Sequence, residues 1–286
     1  MDYVNPKDLV QELVQVARKK ASLGIADMLL RGSLSGVFLG FATSLAVIVT
    51  AQGLPAIVGA ILFPVGFVML VLLGLELATG NFAVLPVGVA AGEVSVLKLL
   101  RSWGWVYLGN LIGSVLYALL FYWAVTNFGS SAGGPVGDLL KSAAQKKTLG
   151  YMSLGTSGWA TAFIKAILCN WMVTIGTCMA LVSRSTIGKI VAMWLPILTF
   201  FAQGFEHSIV NMFVVPVGMM LGAPVPIRTW LFWNQLPVTL GNIISGALFT
   251  GLALYATYRE KRPALPEIEP TFTANNAAVS LSAAGD

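Results

Sequence analysis

Apolar residues fall into six blocks along this chain, at about 34–53, 56–91, 103–126, 159–182, 190–221 and 234–257. A helix needs about 20 apolar residues to cross about 30 Å of hydrocarbon, so most of these blocks predict one spanning helix each. The second and fifth are too long for a single straight helix, and both are interrupted: by Gly74, Gly80 and Asn81 in one, by Gly204, Ser208 and Asn211 in the other. Each predicts two half-helices joined by unwound backbone, which is tolerated at membrane depth only where it is buried in protein or lines a cavity. Pro86 and Pro216 are expected early in the second half-helices, where a missing N–H does least damage. Ahead of the first block, residues 5–30 read as an amphipathic helix outside the bilayer. Asn5 can cap it, Pro6 suits its first turn, and Leu9, Val10, Leu13, Val14 and Ala17 recur at helical spacing.

The two long blocks repeat one another. Gly74/Gly204, Glu76/Glu206, Asn81/Asn211, Val84/Val214, Pro86/Pro216, Val87/Val217 and Gly88/Gly218 are identities at one offset of 130 positions. The third and sixth blocks repeat as well, Leu108-Gly109-Asn110-Leu111-Ile112 against Leu240-Gly241-Asn242-Ile243-Ile244. Each repeat unit therefore has three spans, and an odd number makes the second unit enter from the opposite side. The expected fold class is an all-α integral membrane protein of six transmembrane helices in two inverted three-helix repeats, with helices 2 and 5 broken. Residues 1–31 form the amphipathic N-terminal helix, 32–258 the transmembrane domain and 259–286, rich in Pro, Ala and Ser, a disordered tail. The small residues Gly104, Gly109, Gly113, Ser114, Gly241, Ser245 and Gly246 read as close helix contacts.

Charge supplies the orientation. Twelve Lys and Arg residues flank the spans on the side of both termini and four, Lys141, Lys146, Lys147 and Arg228, on the other, with Lys165 inside the fourth span. Both termini are thus expected in the cytoplasm of a multi-pass protein of the cell (plasma or inner) membrane. With 57% hydrophobic and 10% charged residues, a soluble globule is excluded, and the net charge of +5 belongs to loops rather than to a nucleic-acid surface. Cys169 and Cys178 lie on one helix about two and a half turns apart and cannot bridge each other; with a single histidine, no metal or cofactor site is expected. No Ser/His/Asp set or phosphate loop stands out, so an enzyme has little support.

His207 is that single histidine, and Glu206 precedes it. A charge at the bilayer centre costs about 3 kcal/mol or more, so such residues face a cavity or a partner. A lone buried histidine usually ties structure together, but the twin loop and the unwound backbone point here to a pore-facing role in which it gives or withholds a proton. Glu76 and Glu206 are expected to steady the breaks by accepting hydrogen bonds from freed backbone N–H groups. Thr79, Asn81, Ser208 and Asn211 offer neutral donors to a small anion, helped by about half a positive charge at each half-helix N-terminus. Phe63, Phe67, Phe200 and Leu77 could narrow the path, or simply pack helices.

These residues resemble the formate/nitrite transporter family, pentameric channels whose protomers have an aquaporin-like fold. The resemblance covers about residues 5–260, and its most specific blocks are Gly204–Phe213 and Leu236–Ile244, joined by Ile167–Trp171 and Leu75–Asn81. It implies that His207 is the central pore histidine, Thr79 the threonine facing it, and Asn170, Asn211 and Asn242 structural or pore asparagines. Phe63, Phe67, Leu77 and Phe200 would line two constrictions. The family's anion-attracting vestibule lysine falls on Lys147 if the segment 150–160 contains an insertion; without one, the spacing lands on Leu154. Ala78 stands where formate channels carry a bulky aromatic, which leans toward nitrite. The function expected is transport of small monovalent weak-acid anions, nitrite and/or formate, channel-like or proton-coupled, by a homopentamer in the lipid bilayer. Hydrosulfide or short-carboxylate transport is the alternative within the family. An aquaporin-like neutral-solute pore is the alternative outside it, although neither break carries an Asn-Pro-Ala signature.

Overall fold

A computed structural model describes residues 2–259; the tail expected to be disordered lies, beyond Arg259, outside the described residues. The described chain is helical: α1 (Pro6–Ala21), α2 (Ile25–Ala51), α3 (Ala56–Leu72), α4 (Ala78–Ala90), α5 (Val96–Thr126), α6 (Gly134–Lys147), α7 (Leu149–Ser153), α8 (Thr156–Val182), α9 (Thr186–Ala202), α10 (Ser208–Met220) and α11 (Ile227–Tyr258). Among the described residues, four helices are long and apolar enough to cross a membrane: α2, α5, α8 and α11.

The centre is made of the two shortest apolar helices that follow the interruptions. Ala78–Gly88 of α4 and Ser208–Gly218 of α10 are buried on every side, as helices without a polar face must be. The four long helices enclose them, and outward from α2 point Leu30, Leu34, Phe41 and Leu45. Such an apolar outer surface suits hydrocarbon rather than water.

Small residues set the spacing of this shell. Gly32, Gly36 and Gly40 recur one turn apart on α2 and meet Gly109, Ser114 and Tyr117 of α5. A Cβ on Gly113 would land on the Ser33 carbonyl, and one on Gly241 of α11 would crowd the Phe163 carbonyl of α8. These contacts agree with the small-residue reading of the sequence, except that Gly104 faces open space.

Several boundaries differ from the sequence reading. The amphipathic helix stops at Ala21, because Ser22-Leu23-Gly24 turns the chain, and α2 then begins at Ile25, well before the first apolar block. Its extra turns hold Asp27 and Arg31, an i,i+4 ion pair at 3.4 Å, whose charges masked the helix in the hydrophobic pattern. The helices α6 and α7 occupy a stretch read only as a connection. Pro86 and Pro216 lie inside α4 and α10 rather than in their first turns. The residues before α1 form a short extended arm: Tyr3 bridges Ser183 antiparallel, Val4 N–H donates to the Val182 carbonyl, and Arg184 N–H to that of Asp2. Arg184 also pairs with Glu12.

Gly113→Val would force α2 and α5 apart, an overpacking that typically costs about 1–3 kcal/mol. Thermal unfolding of the purified protein should show a lowered midpoint for Gly113→Val and none of that loss for Gly104→Ala, where a Cβ meets nothing within 4 Å.

Candidate functional site

Two stretches of extended backbone meet at the middle of the molecule, and they are built alike. Gly74 (φ +65°) and Gly204 (φ +66°) adopt the left-handed conformation that ends α3 and α9. The next N–H in each turns back into the helix just finished, Leu75 to the Leu70 carbonyl at 2.9 Å and Phe205 to the Phe200 carbonyl at 3.3 Å. Leu77 (φ −117°, ψ 120°) and His207 (φ −113°, ψ 120°) then stand at the N-caps of α4 and α10.

Extended backbone in an apolar interior leaves its polar groups without helical partners. Two buried asparagines, one from each enclosing repeat, supply them. The Nδ2 of Asn110 donates to the carbonyls of Glu76 (2.9 Å) and Gly32 (2.8 Å), and its Oδ1 accepts from the first N–H of α4, Ala78, at 2.9 Å. Asn242 does the same at the other loop: Nδ2 to Glu206 (3.1 Å) and Ala166 (2.8 Å), Oδ1 from the N–H of Ser208 at 2.9 Å. The loop N–H groups of Glu76 and Glu206 donate to the carbonyls of Arg31 and Lys165, both at 3.4 Å.

The carboxylates of Glu76 and Glu206 turn inward. The sequence reading gave them freed backbone N–H groups as donors; their donors are side chains instead. Glu76 receives Lys20 through both oxygens at 2.9 Å and Asn81 Nδ2 at 2.8 Å. Glu206 receives Lys147 at 2.8 Å, Asn211 Nδ2 at 2.8 Å, Asn234 Nδ2 at 3.5 Å and the Tyr151 hydroxyl at 2.8 Å. Burial first, and then the charge of Glu206, push the Tyr151 phenol above its ordinary range, so it remains a donor. The Lys147 ammonium, on a partly exposed side chain, is thus paired with the buried Glu206 carboxylate.

Two of the positions at which the loops differ carry polar side chains that have no counterpart in the other half. Where the first has Leu77, the second has His207; where the second has Ile209, the first has Thr79. Those two differences face each other, with Thr79 Oγ1 and His207 Nε2 3.1 Å apart and both residues buried. The Nδ1 of His207 accepts the N–H of Val210 at 3.2 Å, which leaves the proton of a neutral ring on Nε2, donating to Thr79. Asn170 holds the same spot from α8 by donating to the Thr79 carbonyl (3.2 Å) and to that of Asn242 (2.7 Å). The Oδ1 atoms of Asn170 and Asn211 and the Ser208 hydroxyl have no partner among the described residues. The Phe200 ring stacks beside His207 at 5.7 Å and Phe63 meets Phe200 edge-on, also at 5.7 Å; Phe67 and Leu77 are buried in the same apolar cluster. A cavity of about 610 Å³ opens on the α1 side of the Glu76 loop, bordered by Lys19, Lys20, Arg31, Leu75 and Thr177.

Sequence reasoning missed Asn110, Lys20, Tyr151 and Asn234. Two of these had left a signal. Asn110 sits in the block that repeats around Asn242, and Lys20 lies seven residues after Leu13 and three after Ala17, on the buried face of α1. Tyr151 and Asn234 had none, since they reach Glu206 across the fold.

Comparison with known proteins adds to this geometry. The family described as formate/nitrite transporter matches residues 7–256. A "Probable formate transporter" of Methanothermobacter thermautotrophicus is 35% identical, over 90% of this chain and 97% of its own. "Nitrite transporter NirC" of Salmonella typhimurium is 35% identical, over 78% of this chain and 79% of its own. A solved "Pentameric formate channel with formate bound" superposes with a TM-score of 0.65 at 27% identity, covering 82% of this chain and 97% of that one.

Breaking one partner of a buried ion pair typically costs about 3–5 kcal/mol, because the other charge stays buried. Lys147→Ala should lower the unfolding midpoint steeply, and the double variant Lys147→Met/Glu206→Gln should recover part of the loss. Asn242→Ala should fall at least as far as the first variant's recovered partner, since one side chain there satisfies three backbone groups.

Proposed function

Since the chain belongs to the formate/nitrite transporter family, we propose that it carries small monovalent weak-acid anions, formate and/or nitrite, across the membrane through a path centred on His207. It is a membrane protein of a family of transporters and channels, not an enzyme. In this reading the chain crosses the bilayer six times in two inverted three-helix repeats, with helices 2 and 5 broken, both termini cytoplasmic, and five copies assembled as in the pentameric formate channel it resembles.

The observation that carries the reading is the contact between His207 Nε2 and Thr79 Oγ1, made by two loops arriving from opposite halves of the chain. An anion cannot cross the apolar zone of Phe63, Phe200 and Leu77 cheaply as a bare charge. A hydrogen-bond donor at its centre, together with the unpartnered Ser208 hydroxyl nearby, gives it a polar stepping point, while the unpartnered amide oxygens of Asn170 and Asn211 can accept only from a protonated acid. Passage as the neutral acid removes the remaining cost. A second proton on His207 would have to sit on Nδ1, the atom that caps the Val210 N–H. Loading the ring with a transferable proton and opening the first turn of α10 are then one event. Ala78, small and buried beside Thr79, leaves room there and favours nitrite among the candidates.

The test is uptake of formate and of nitrite by proteoliposomes, scanned over pH. His207→Phe, which removes both donor and cap, should abolish flux. His207→Asn keeps a capping oxygen and a donor but no titratable group, and should carry anion without the proton-linked step. Unchanged, equally pH-dependent flux in both variants would refute the role of His207. Water or glycerol flux without anion flux in the parent protein would replace anion transport by a neutral-solute pore.

A further inference from the structure

The repeat that aligns Leu108 with Leu240 and Asn110 with Asn242 also aligns Trp103 with Gln235 and Tyr107 with Thr239. Both members of the first pair reach from an outer helix to a carbonyl of a buried half-helix. Trp103 Nε1 donates to the Asn81 carbonyl of α4 at 3.1 Å, and Gln235 Nε2 donates to the Ser208 carbonyl of α10 at 3.3 Å. The members of the second pair meet each other, with the Tyr107 hydroxyl and Thr239 Oγ1 2.6 Å apart. Beside that contact a cavity of about 600 Å³, bordered by Gly104, Leu231 and Leu236, separates α5 from α11, so what joins them there is polar.

Every polar hydrogen in this group has an acceptor. Thr239 Oγ1 donates to the Gln235 carbonyl at 2.7 Å, so the Tyr107 hydroxyl donates to Thr239. Gln235 Nε2 then donates one hydrogen to the Tyr107 oxygen at 2.6 Å and the other to Ser208. The orientation of this buried amide is thereby fixed, and its Oε1 is left without a donor among the described residues. That orphan oxygen is the cost of aiming both N–H bonds at Tyr107 and Ser208.

Ser208 is the first residue of α10, the helix capped by Nδ1 of His207. Its N–H is held by Asn242 and its carbonyl by Gln235, so the turn beside the cap is pinned on both sides of one residue. A second proton on Nδ1 sets an N–H against the Val210 N–H, and the ring keeps its place only if that turn gives way. We propose that Gln235, aimed by Tyr107 and Thr239, is a positioning residue that holds this turn closed and so sets the acidity at which His207 takes up its second proton. The inference rests on the proton-loading role given to His207 above. Trp103, its counterpart, braces the other half-helix, whose loop carries Leu77 where His207 stands, and has no proton to govern.

The charged and titratable groups around the two loops stay in place when the brace is cut. They are Glu206 with Lys147 of α6 and Tyr151 of α7, Lys165 and Cys169 of α8, and, at the facing loop, Glu76 with Lys20 of α1 and Arg31 of α2. Thr79 of α4, Phe200 of α9 and Asn234 and Asn242 of α11 are neutral.

The chain has one histidine, so tag-free protein made with isotope-labelled histidine and placed in liposomes reports the protonation of His207 alone by NMR. Gln235→Met removes one neutral hydrogen bond from the closed turn and should raise the titration midpoint by about half a unit to one unit. Tyr107→Phe should raise it less, and Thr239→Val least. Trp103→Phe should titrate as the parent does, even where its unfolding midpoint falls as far as that of Gln235→Met. The pH profile of formate and nitrite uptake should move with the resonance. An unmoved midpoint in Gln235→Met, or the same shift in Trp103→Phe, overturns the inference and leaves anion transport standing. A shifted midpoint in a protein whose parent carries no anion overturns transport and leaves the brace standing.

Discussion

Everything in this fold depends on how it supplies hydrogen bonds to two short pieces of extended backbone inside an apolar core. A helix satisfies its own amides; residues 75–77 and 205–207 cannot. Asn110 and Asn242 substitute for the missing turn, each with two donor hydrogens and one acceptor, and each spans three elements. The close approach of α2 to α5 and of α8 to α11, which the glycines permit, brings a carbonyl of the outer helix within reach of the asparagine amide. A bulkier interface would move it away and leave buried polar groups unpaired, at a cost of about 1–3 kcal/mol each. Packing and polarity are solved by the same residues.

The carboxylates add a second constraint. Glu76 and Glu206 are almost fully buried, and a buried ion pair contributes little net stability when compared with an apolar pair of the same shape. What it does confer is position. The glutamate draws together the loop, the following helix through Asn81 or Asn211, and a peripheral helix through Lys20 or Lys147. Through the first of these pairs α1, otherwise packed only by Leu9, Leu13, Ala17 and their neighbours, is tied to the centre.

Much of this was legible in the residues. The lengths of the second and fifth apolar blocks, the glycines within them and the seven identities at one offset located both loops, and His207 stood out as the single histidine of the chain. The roles of the glutamates' neighbours were not legible, because partners such as Tyr151 and Asn234 come from sequence distances that no local pattern encodes. Nor was the start of α2: Asp27 and Arg31 break the apolar run while continuing the helix, so hydrophobicity and helicity part company there. The partner of Lys147 was equally hidden, since Glu206 lies 59 residues further along the chain.

The extended arm at the start of the chain has its own consequence. Asp2 and Val4 are paired with Arg184 and Val182, and Glu12 with Arg184, so the residues before α1 close against the far end of α8, in the other half of the chain. One seam thus fastens the two ends of the helical shell to each other, and loosening it would release α1 and the end of α8 together.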